Sequence, residues 1–269
     1  MICKKCGTKF SDGVFCPECG ARTTPVSGLG GEEQSNTWEN ALQYSDEEGY
    51  NTKMYGPQGQ LEEQRIGRGG IKIDAGGKKI FENKIMILEN DSTFELCIQA
   101  GKNSKLEFKN CTLINNSEAS IKAESNVSMS FDHCFIKGNG YISENRSAYG
   151  VTVEFRNCAF DSGQMDKDAN CLITAENAYF ENCFIKGGRG IVEIVKDYSS
   201  ASRSEFRNCV IINESETQCW GLLIVPGRTE SLVQFENCFI RSKSLLTGGA
   251  KQKLIIKNCY FDDYSGMYR

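Results

Sequence analysis

One four-residue motif, Phe-x-Asn-Cys, recurs along the chain and constrains the fold more than any other feature of the sequence. The aligned copies are Phe108-Lys-Asn-Cys111, Phe131-Asp-His-Cys134, Phe155-Arg-Asn-Cys158, Phe180-Glu-Asn-Cys183, Phe206-Arg-Asn-Cys209, Phe235-Glu-Asn-Cys238 and Ile256-Lys-Asn-Cys259. Successive cysteines lie 23, 24, 25, 26, 29 and 21 residues apart. Repeats of this length are typical of two solenoids, the leucine-rich repeat and the parallel β-helix.

The residues around each cysteine favour the β-helix. Leucine is rare in these repeats, whereas the leucine-rich consensus needs several leucines per turn. An apolar residue follows two positions after each cysteine, as Leu113 and Ile136 do, and the flanking stretches are rich in Phe, Ile and Val without helical periodicity. This pattern predicts a strand, a turn and a second strand in every repeat.

The motif resembles the turns of the pectate-lyase-like right-handed parallel β-helix family over residues 67–269. In that family an asparagine recurs at a tight turn between two strands, where its amide can donate to one neighbour and accept from the next. The resemblance assigns this position to Asn110, Asn157, Asn182, Asn208, Asn237 and Asn258. His133, the single histidine, takes the same place in its own repeat, so we expect it in the ladder of side chains and not in catalysis.

Two further columns support this alignment. The residues just before the ladder position alternate in sign from one repeat to the next: Lys109, Asp132, Arg156, Glu181, Arg207, Glu236 and Lys257. Stacked strands lie about 4.8 Å apart, so each charge would have opposite neighbours and a slip by one turn would be disfavoured. We expect the seven cysteines to point into the core as small hydrophobic side chains.

A second cysteine pattern occupies residues 1–24. Cys3-x-x-Cys6 and Cys16-x-x-Cys19 lie nine residues apart, and Gly7 and Gly20 follow the two pairs. Four thiolates at this spacing can close a tetrahedral shell around one Zn²⁺, which leaves no open position for catalysis. The segment resembles the short N-terminal zinc-ribbon family, which implies one structural zinc ion bound by Cys3, Cys6, Cys16 and Cys19.

Residues 25–66 read as an acidic flexible linker, with eight acidic and two basic side chains. A short helix is predicted near residues 35–44, where Ser35 can cap a turn that carries Trp38 and Leu42 on one face. Two interpretations stay open for this helix. It is either a docking motif for a partner or a cap over the N-terminal end of the β-helix.

Charge and composition restrict the partners and the compartment. The net charge is −4 and no basic block stands out, so no nucleic acid partner is expected. No apolar run is long enough to cross a membrane and no secretory signal is recognised, so a cytoplasmic protein is expected. We expect protein contacts through the ribbon or the linker, with carbohydrate as a second class of ligand. Two interpretations stay open for the last turn: Tyr264, Met267 and Tyr268 fold back over it as a small aromatic plug, or its open end pairs with another chain in end-to-end self-association.

The sequence therefore predicts an all-β chain that acts as a non-catalytic zinc-binding β-helical scaffold or binding module. The alternative is a polysaccharide-active, lyase-like enzyme, since the loop from Asp161 to Asp168 could bind Ca²⁺. No pair of carboxylates positioned for glycoside hydrolysis emerges from the repeats, and no catalytic residue is assigned. The longest interval between column cysteines contains Trp220 and is either a place for a binding surface or, from Leu222 to Val225, an ordinary buried strand.

Overall fold

The β-strands of this protein stack into a three-sided parallel solenoid. The computed structural model describes residues 55–89, 97–115, 119–138, 141–144, 149–161, 173–187, 192–194, 202–213, 223–225, 230–242, 246–248 and 252–262. The chain divides into two units, Met1–Ser35 and Asn36–Arg269, and all described residues belong to the second. None of the described segments forms a helix with the length and hydrophobicity needed to span a bilayer.

Three parallel sheets form the sides of the solenoid, with the strands numbered in chain order. Sheet 1 contains β1 (Glu62–Ile66), β4 (Lys84–Leu88), β7 (Thr112–Asn115), β10 (Phe135–Gly138), β13 (Ala159–Asp161), β16 (Phe184–Gly187), β19 (Val210–Asn213), β22 (Phe239–Arg241) and β25 (Tyr260–Asp262). Sheet 2 contains β2 (Ile71–Ile73), β5 (Ile98–Ala100), β8 (Ala119–Ala123), β11 (Tyr141–Glu144), β14 (Ile173–Ala175), β17 (Val192–Ile194), β20 (Leu223–Val225) and β23 (Leu246–Gly248). Sheet 3 contains β3 (Lys78–Glu82), β6 (Lys105–Lys109), β9 (Ser128–Asp132), β12 (Thr152–Arg156), β15 (Asn177–Glu181), β18 (Ser202–Arg207), β21 (Ser231–Glu236) and β24 (Gln252–Lys257).

Each strand pairs with the strand three positions along the chain, so one turn adds one strand to every sheet. The predicted all-β, right-handed parallel β-helix is confirmed. The repeats are in register, because Phe108 pairs with Phe131, which in turn pairs with Phe155. The motif therefore falls at the same place in every turn, at the end of sheet 3 and the start of sheet 1.

A stack of phenylalanine rings forms the centre of the core. The ring centroids of successive members are 4.5–5.0 Å apart, and their planes differ by 2–16°. The members are Phe81, Phe108, Phe131, Phe155, Phe180, Phe206 and Phe235. Phe81 begins the segment Phe81-Glu-Asn-Lys84, which matches the motif except for a lysine in place of the cysteine. Parallel offset stacking at this distance adds to the area that each ring removes from water.

The residue after each sheet 3 strand, which is asparagine except for His133 after β9, forms the corner that leads into sheet 1. Asn110 has φ 53° and Asn157 has φ 54°, in the left-handed region that asparagine tolerates better than most residues. The corner backbone is paired between turns, since the Asn157 amide donates to the Glu181 carbonyl at 3.0 Å. The side chains also pair: Asn182 Nδ2 donates to Asn157 Oδ1 at 3.3 Å and Asn237 Nδ2 to Asn208 Oδ1 at 3.2 Å. A single residue thus turns the chain and links neighbouring turns.

The cysteine column lies just inside this corner. Cys111, Cys134, Cys158, Cys183, Cys209 and Cys238 are fully buried. Each thiol lies within hydrogen-bonding distance of a carbonyl on the preceding turn, as Cys158 Sγ does with the Phe131 oxygen at 3.5 Å. These side chains behave as small core residues that also satisfy a backbone acceptor, in agreement with the prediction from sequence.

The solenoid begins before residue 67, within the stretch predicted as linker. Strand β1 pairs with β4. Residues 55–58, which precede β1 in the chain, pack against the corner between sheets 3 and 1. The Gly56 amide donates to the Asn157 carbonyl at 3.0 Å, and Tyr55 is 2% exposed. We call residues 55–61 the strap. The sequence does not reveal this segment. The acidic composition of residues 25–66 resembles that of a linker, and the one buried aromatic residue of the strap, Tyr55, is not part of a repeated motif.

Candidate functional site

The outward-facing positions of sheet 3 form the most strongly structured polar surface in the described part of the chain. Because strand residues alternate between faces, every second residue of each sheet 3 strand points away from the core. We call this surface the polar face. Its outer column is Glu82, Lys109, Asp132, Arg156, Glu181, Arg207, Glu236 and Lys257. Its central column is Ile80, Glu107, Ser130, Glu154, Tyr179, Glu205, Gln234 and Ile255.

A shallow depression of about 200 Å³ lies in the middle of the polar face. Tyr179 lies at its centre, and the register places Glu154 and Glu205 on either side of it in the central column. Its lining residues are Glu154, Phe155, Arg156, Tyr179, Phe180, Glu181, Glu205 and Arg207. The depression therefore combines one aromatic ring with carboxylate and guanidinium groups from three adjacent strands.

Glu205 is the most enclosed charged group of the depression. Its side chain is only 8% exposed and lies between two arginines of the same strand. Arg203 Nε forms an ion pair with Glu205 Oε1, and Arg207 Nη2 lies 3.0 Å from Glu205 Oε2. Arg207 Nε also lies 3.8 Å from Glu236 Oε2 on the next strand. Both oxygens of Glu205 are thus engaged, which fixes the orientation of the carboxylate.

Arg156 forms the matching cluster on the other side of Tyr179. Arg156 Nη2 lies 3.4 Å from Glu154 Oε2, and Arg156 Nε lies 3.5 Å from Glu181 Oε2. These groups are more exposed than Glu205, since the Glu154 side chain is 38% and the Arg156 side chain 60% accessible. An exposed pair of this kind contributes under about 1 kcal/mol to stability, so its main effect is to orient the side chains.

A basic cluster occupies the N-terminal part of the polar face. Lys78 Nζ lies 2.9 Å and Lys105 Nζ 3.1 Å from Glu107 Oε1, and Lys109 Nζ lies 3.7 Å from Glu107 Oε2. Hydrogen bonds from Lys78 and Lys105 lower the pKa of Glu107 to about 2. Glu107 is therefore a charged anchor for three ammonium groups and not a proton donor at neutral pH.

His133 lies at the asparagine corner, as predicted. The hydrogen bond that Asn157 was expected to make with its ring is made with Asp132 instead. The His133 backbone has φ 50°, so the residue makes the left-handed turn. Its Nδ1 lies 2.9 Å from Asp132 Oδ1, and Asn157 Nδ2 donates to that same oxygen at 3.1 Å. The Asp132 carboxylate replaces the imidazole as acceptor, because a charged oxygen accepts two donors at once. The predicted turn is confirmed, and the predicted ladder bond is replaced by one to Asp132.

Four of the column cysteines are poorly suited to chemistry. Burial raises the pKa of the Cys158, Cys183, Cys209 and Cys238 thiols well above its usual range. Thiols in this state are neither nucleophiles nor ready metal ligands. Among the residues that the structure describes, no group of three or more His, Cys, Asp or Glu side chains is arranged to hold a metal ion.

Several predicted site residues lie outside the described residues. These are Cys3, Cys6, Cys16 and Cys19, the helix near residues 35–44, residues 162–168 of the acidic loop, and Trp220. Asp161, the first residue of that loop, ends β13. The zinc site and the calcium loop accordingly remain predictions.

The depression and a second left-handed corner were not anticipated from the sequence. Asn103 and Asn126 both have φ 59°, and Asn126 Nδ2 donates to Asn103 Oδ1 at 3.1 Å, between sheets 2 and 3. The signal for this corner is an asparagine or glycine with positive φ two residues before each of the first four sheet 3 strands, at Gly76, Asn103, Asn126 and Gly150. The position of Tyr179 could have been found from the sequence. It stands two residues before Glu181, a member of the alternating charged column, and therefore lies on the same outward face of the strand.

A scan of the chain against protein-family models finds no match, and searches of the curated proteins and of the solved structures find no significant match either.

Proposed function

We propose that this protein is a non-catalytic, zinc-binding β-helical binding module, and that the depression around Tyr179 on the polar face contacts carbohydrate. The observation that carries the proposal is the combination of one partly exposed aromatic ring with flanking carboxylates and guanidinium groups. Ligand sites commonly pair an apolar surface with a few convergent polar groups. The three-sided parallel solenoid with its asparagine corner supports a relationship to the pectate-lyase-like β-helices.

The chemistry of the depression suits a sugar ring. The Tyr179 ring offers a flat surface for the apolar C–H face of a pyranose, and its hydroxyl adds a hydrogen-bonding group. Arg156 and Arg207 present planar donors, while Glu154 and Glu181 present acceptors, which together match vicinal hydroxyl groups. The ion pairs orient these side chains before a ligand arrives, which reduces the entropy lost on binding.

The same ion pairs favour binding over catalysis. Glycoside cleavage needs two carboxyl groups that are free to face the scissile bond. Both oxygens of Glu205 are instead engaged by Arg203 and Arg207, and Glu154 is paired with Arg156. His133, the single histidine, is held at a corner by Asp132. A calcium-dependent lyase is the alternative, and it would use the acidic loop after Asp161.

Carbohydrate binding is tested by titrating oligosaccharides into the purified protein. We expect saturable binding of at least one oligosaccharide class, and Tyr179→Ala should weaken it about tenfold or more because stacking is lost. Tyr149→Ala is the matched control, since Tyr149 is an exposed tyrosine that does not line the depression. Parallel incubation with polyuronides, with and without Ca²⁺, should leave chain length unchanged. Cleavage abolished by chelation would favour the lyase, and equal loss of binding in both variants would contradict the site.

The N-terminal cysteines carry the zinc part of the proposal. Four thiolates form a closed tetrahedral shell, so the ion would stabilise a small module that leaves the remaining surface for protein contacts. The eight described cysteines are free thiols, which supports placing the protein in a reducing compartment such as the cytoplasm.

We expect one zinc ion per chain by elemental analysis of the purified protein. The double variant Cys3→Ser, Cys6→Ser should lose the metal, because two remaining thiolates cannot hold zinc tightly. Cys259→Ser is the control and should retain one equivalent, since Cys259 lies in the last described turn of the solenoid. Zinc retained by the double variant would exclude the proposed ligands.

A further inference from the structure

The two ends of sheet 3 are built differently. At the N-terminal edge, Lys79 occupies an inward position, since its register partner Leu106 is fully buried. Lys79 is nevertheless exposed, and its Nζ lies 5.9 Å from the centroid of the Phe81 ring. An inward-pointing charge on an edge strand prevents another strand from pairing there.

Sheet 1 repeats this protection at the same end. Gln64 on β1 takes the inward position that corresponds to the buried Met86 on β4. A strand added to this edge would bury the Gln64 amide among apolar side chains without a hydrogen bond, which is costly. The N-terminal end of the solenoid is therefore closed to strand addition in two of its three sheets.

The C-terminal edge lacks such protection in sheet 3. Among the residues that the structure describes, β24 is the last strand of that sheet and pairs with β21 alone. Its inward side chains, Leu254 and Ile256, are apolar and only half-buried, whereas Val233 and Phe235 one turn earlier are fully buried. The edge thus combines backbone groups that no described strand pairs with and an incompletely covered apolar core.

The charges of this edge indicate what it accepts. Lys253 and Lys257 point outward from β24 and are exposed. The outer column alternates in sign at each of its preceding steps and ends in Lys257. An acidic side chain opposite Lys257 would continue that alternation, while a basic one would be repelled.

We propose that the free edge of β24 binds an extended strand from a partner protein, in which apolar residues cover Leu254 and Ile256 and an acidic residue faces Lys257. This is strand addition to an exposed sheet edge, in which backbone hydrogen bonds supply affinity and alternate side chains supply specificity. The inference is independent of the carbohydrate proposal, because the depression around Tyr179 lies in the middle of the polar face.

A second copy of this chain fits the edge less well. Stacked head to tail with its β3 beside β24, it would bury Lys79 against Leu254 and place Lys78 opposite Lys253, although Glu82 would then face Lys257. Stacked tail to tail with the β24 strands antiparallel and centred on Ile255, it would place Lys253 of one copy opposite Lys257 of the other. The first arrangement buries one charge and opposes one pair of like charges, and the second opposes like charges at both ends of the paired strands.

The test uses the full chain and a labelled synthetic peptide with the sequence of residues 230–242, carrying Cys238→Ser. This peptide copies β21, whose Val233, Phe235 and Glu236 face Leu254, Ile256 and Lys257 in the native register. We expect saturable binding by fluorescence anisotropy. A peptide with Glu236→Lys should bind about tenfold more weakly, because like charges then face each other.

Exchange of the charges makes the test specific. The chain variant Lys257→Glu should prefer the Glu236→Lys peptide, whereas Lys122→Glu, which changes an exposed lysine of sheet 2, should behave as the parent chain. Equal binding of both peptides, or no saturable binding of either, would overturn the proposal. Light scattering that shows concentration-dependent association of the parent chain, abolished by Lys257→Glu, would instead assign the edge to a second copy.

Discussion

Replacing Phe155 by alanine should lower the free energy of unfolding by about 3–5 kcal/mol. Phe155 is 1% exposed and lies in the middle of the ring stack, with ring centroids of Phe131 and Phe180 at 4.6 and 5.0 Å. Phe160 adds an edge contact at 4.8 Å. Removing the ring leaves a cavity between two turns of the solenoid. This cavity cannot collapse, because the backbone hydrogen bonds fix the spacing between neighbouring strands. Urea unfolding followed by circular dichroism measures the loss.

Two control variants separate packing from other effects. Phe155→Leu keeps most of the apolar volume and should cost clearly less than Phe155→Ala, though it loses the stacking geometry. Tyr149→Ala alters an aromatic residue that is 46% exposed and should change stability by no more than about 0.5 kcal/mol. If Phe155→Ala costs as little as Tyr149→Ala, the ring stack is not a major source of stability.

The repeated positions explain why the fold was predictable from sequence. A residue type that recurs at the same place in every turn must suit the same local geometry each time. The residue type therefore indicates what that geometry is. The recurring asparagine indicated a corner in the left-handed conformation. The phenylalanine three residues before each cysteine indicated the inward face of a strand. Alternating charges reported the outward face, and Arg156 with Glu181 forms one of the resulting ion pairs at 3.5 Å.

Features without a repeat could not be predicted in this way. Tyr55 anchors the strap alone, in an acidic segment that resembles a linker. The three-residue strands of sheet 2, such as β2 and β5, are too short for alternation to be recognised. The depression depends on how the side chains beside Tyr179 are oriented. The motif alignment places Glu154 and Glu205 next to Tyr179, but it does not show that ion pairs with Arg156 and Arg207 orient them. His133 shows the remaining limit, since its neighbour Asp132 competes for the same hydrogen bond.

Removing the side chain of Tyr55 should destabilise the protein by about 3 kcal/mol, although the residue lies outside the repeats. Its ring centroid is 6.0 Å from that of Phe184, and both side chains are at most 2% exposed. The strap continues along the corner, where the amide of Gln58 donates to Asn110 Oδ1 at 2.6 Å and Asn110 Nδ2 donates to the Gln58 carbonyl at 2.8 Å. Tyr55→Ala should release this strap, and faster hydrogen exchange at the Gly56 and Gln58 amides would report it.

Tyr55→Phe isolates the hydroxyl and gives the prediction a pH dependence. Burial, with smaller contributions from the Cys209 and Cys183 thiols, raises the pKa of Tyr55 well above its usual value of 10.0. Only the unfolded chain then ionises at this residue near pH 10, so the stabilising contribution is complete below about pH 10 and is lost as the pH rises further. The parent chain should therefore lose more stability than Tyr55→Phe between about pH 9.5 and 11. Equal losses in the two proteins would show that Tyr55 titrates as an exposed tyrosine and that the strap does not enclose it.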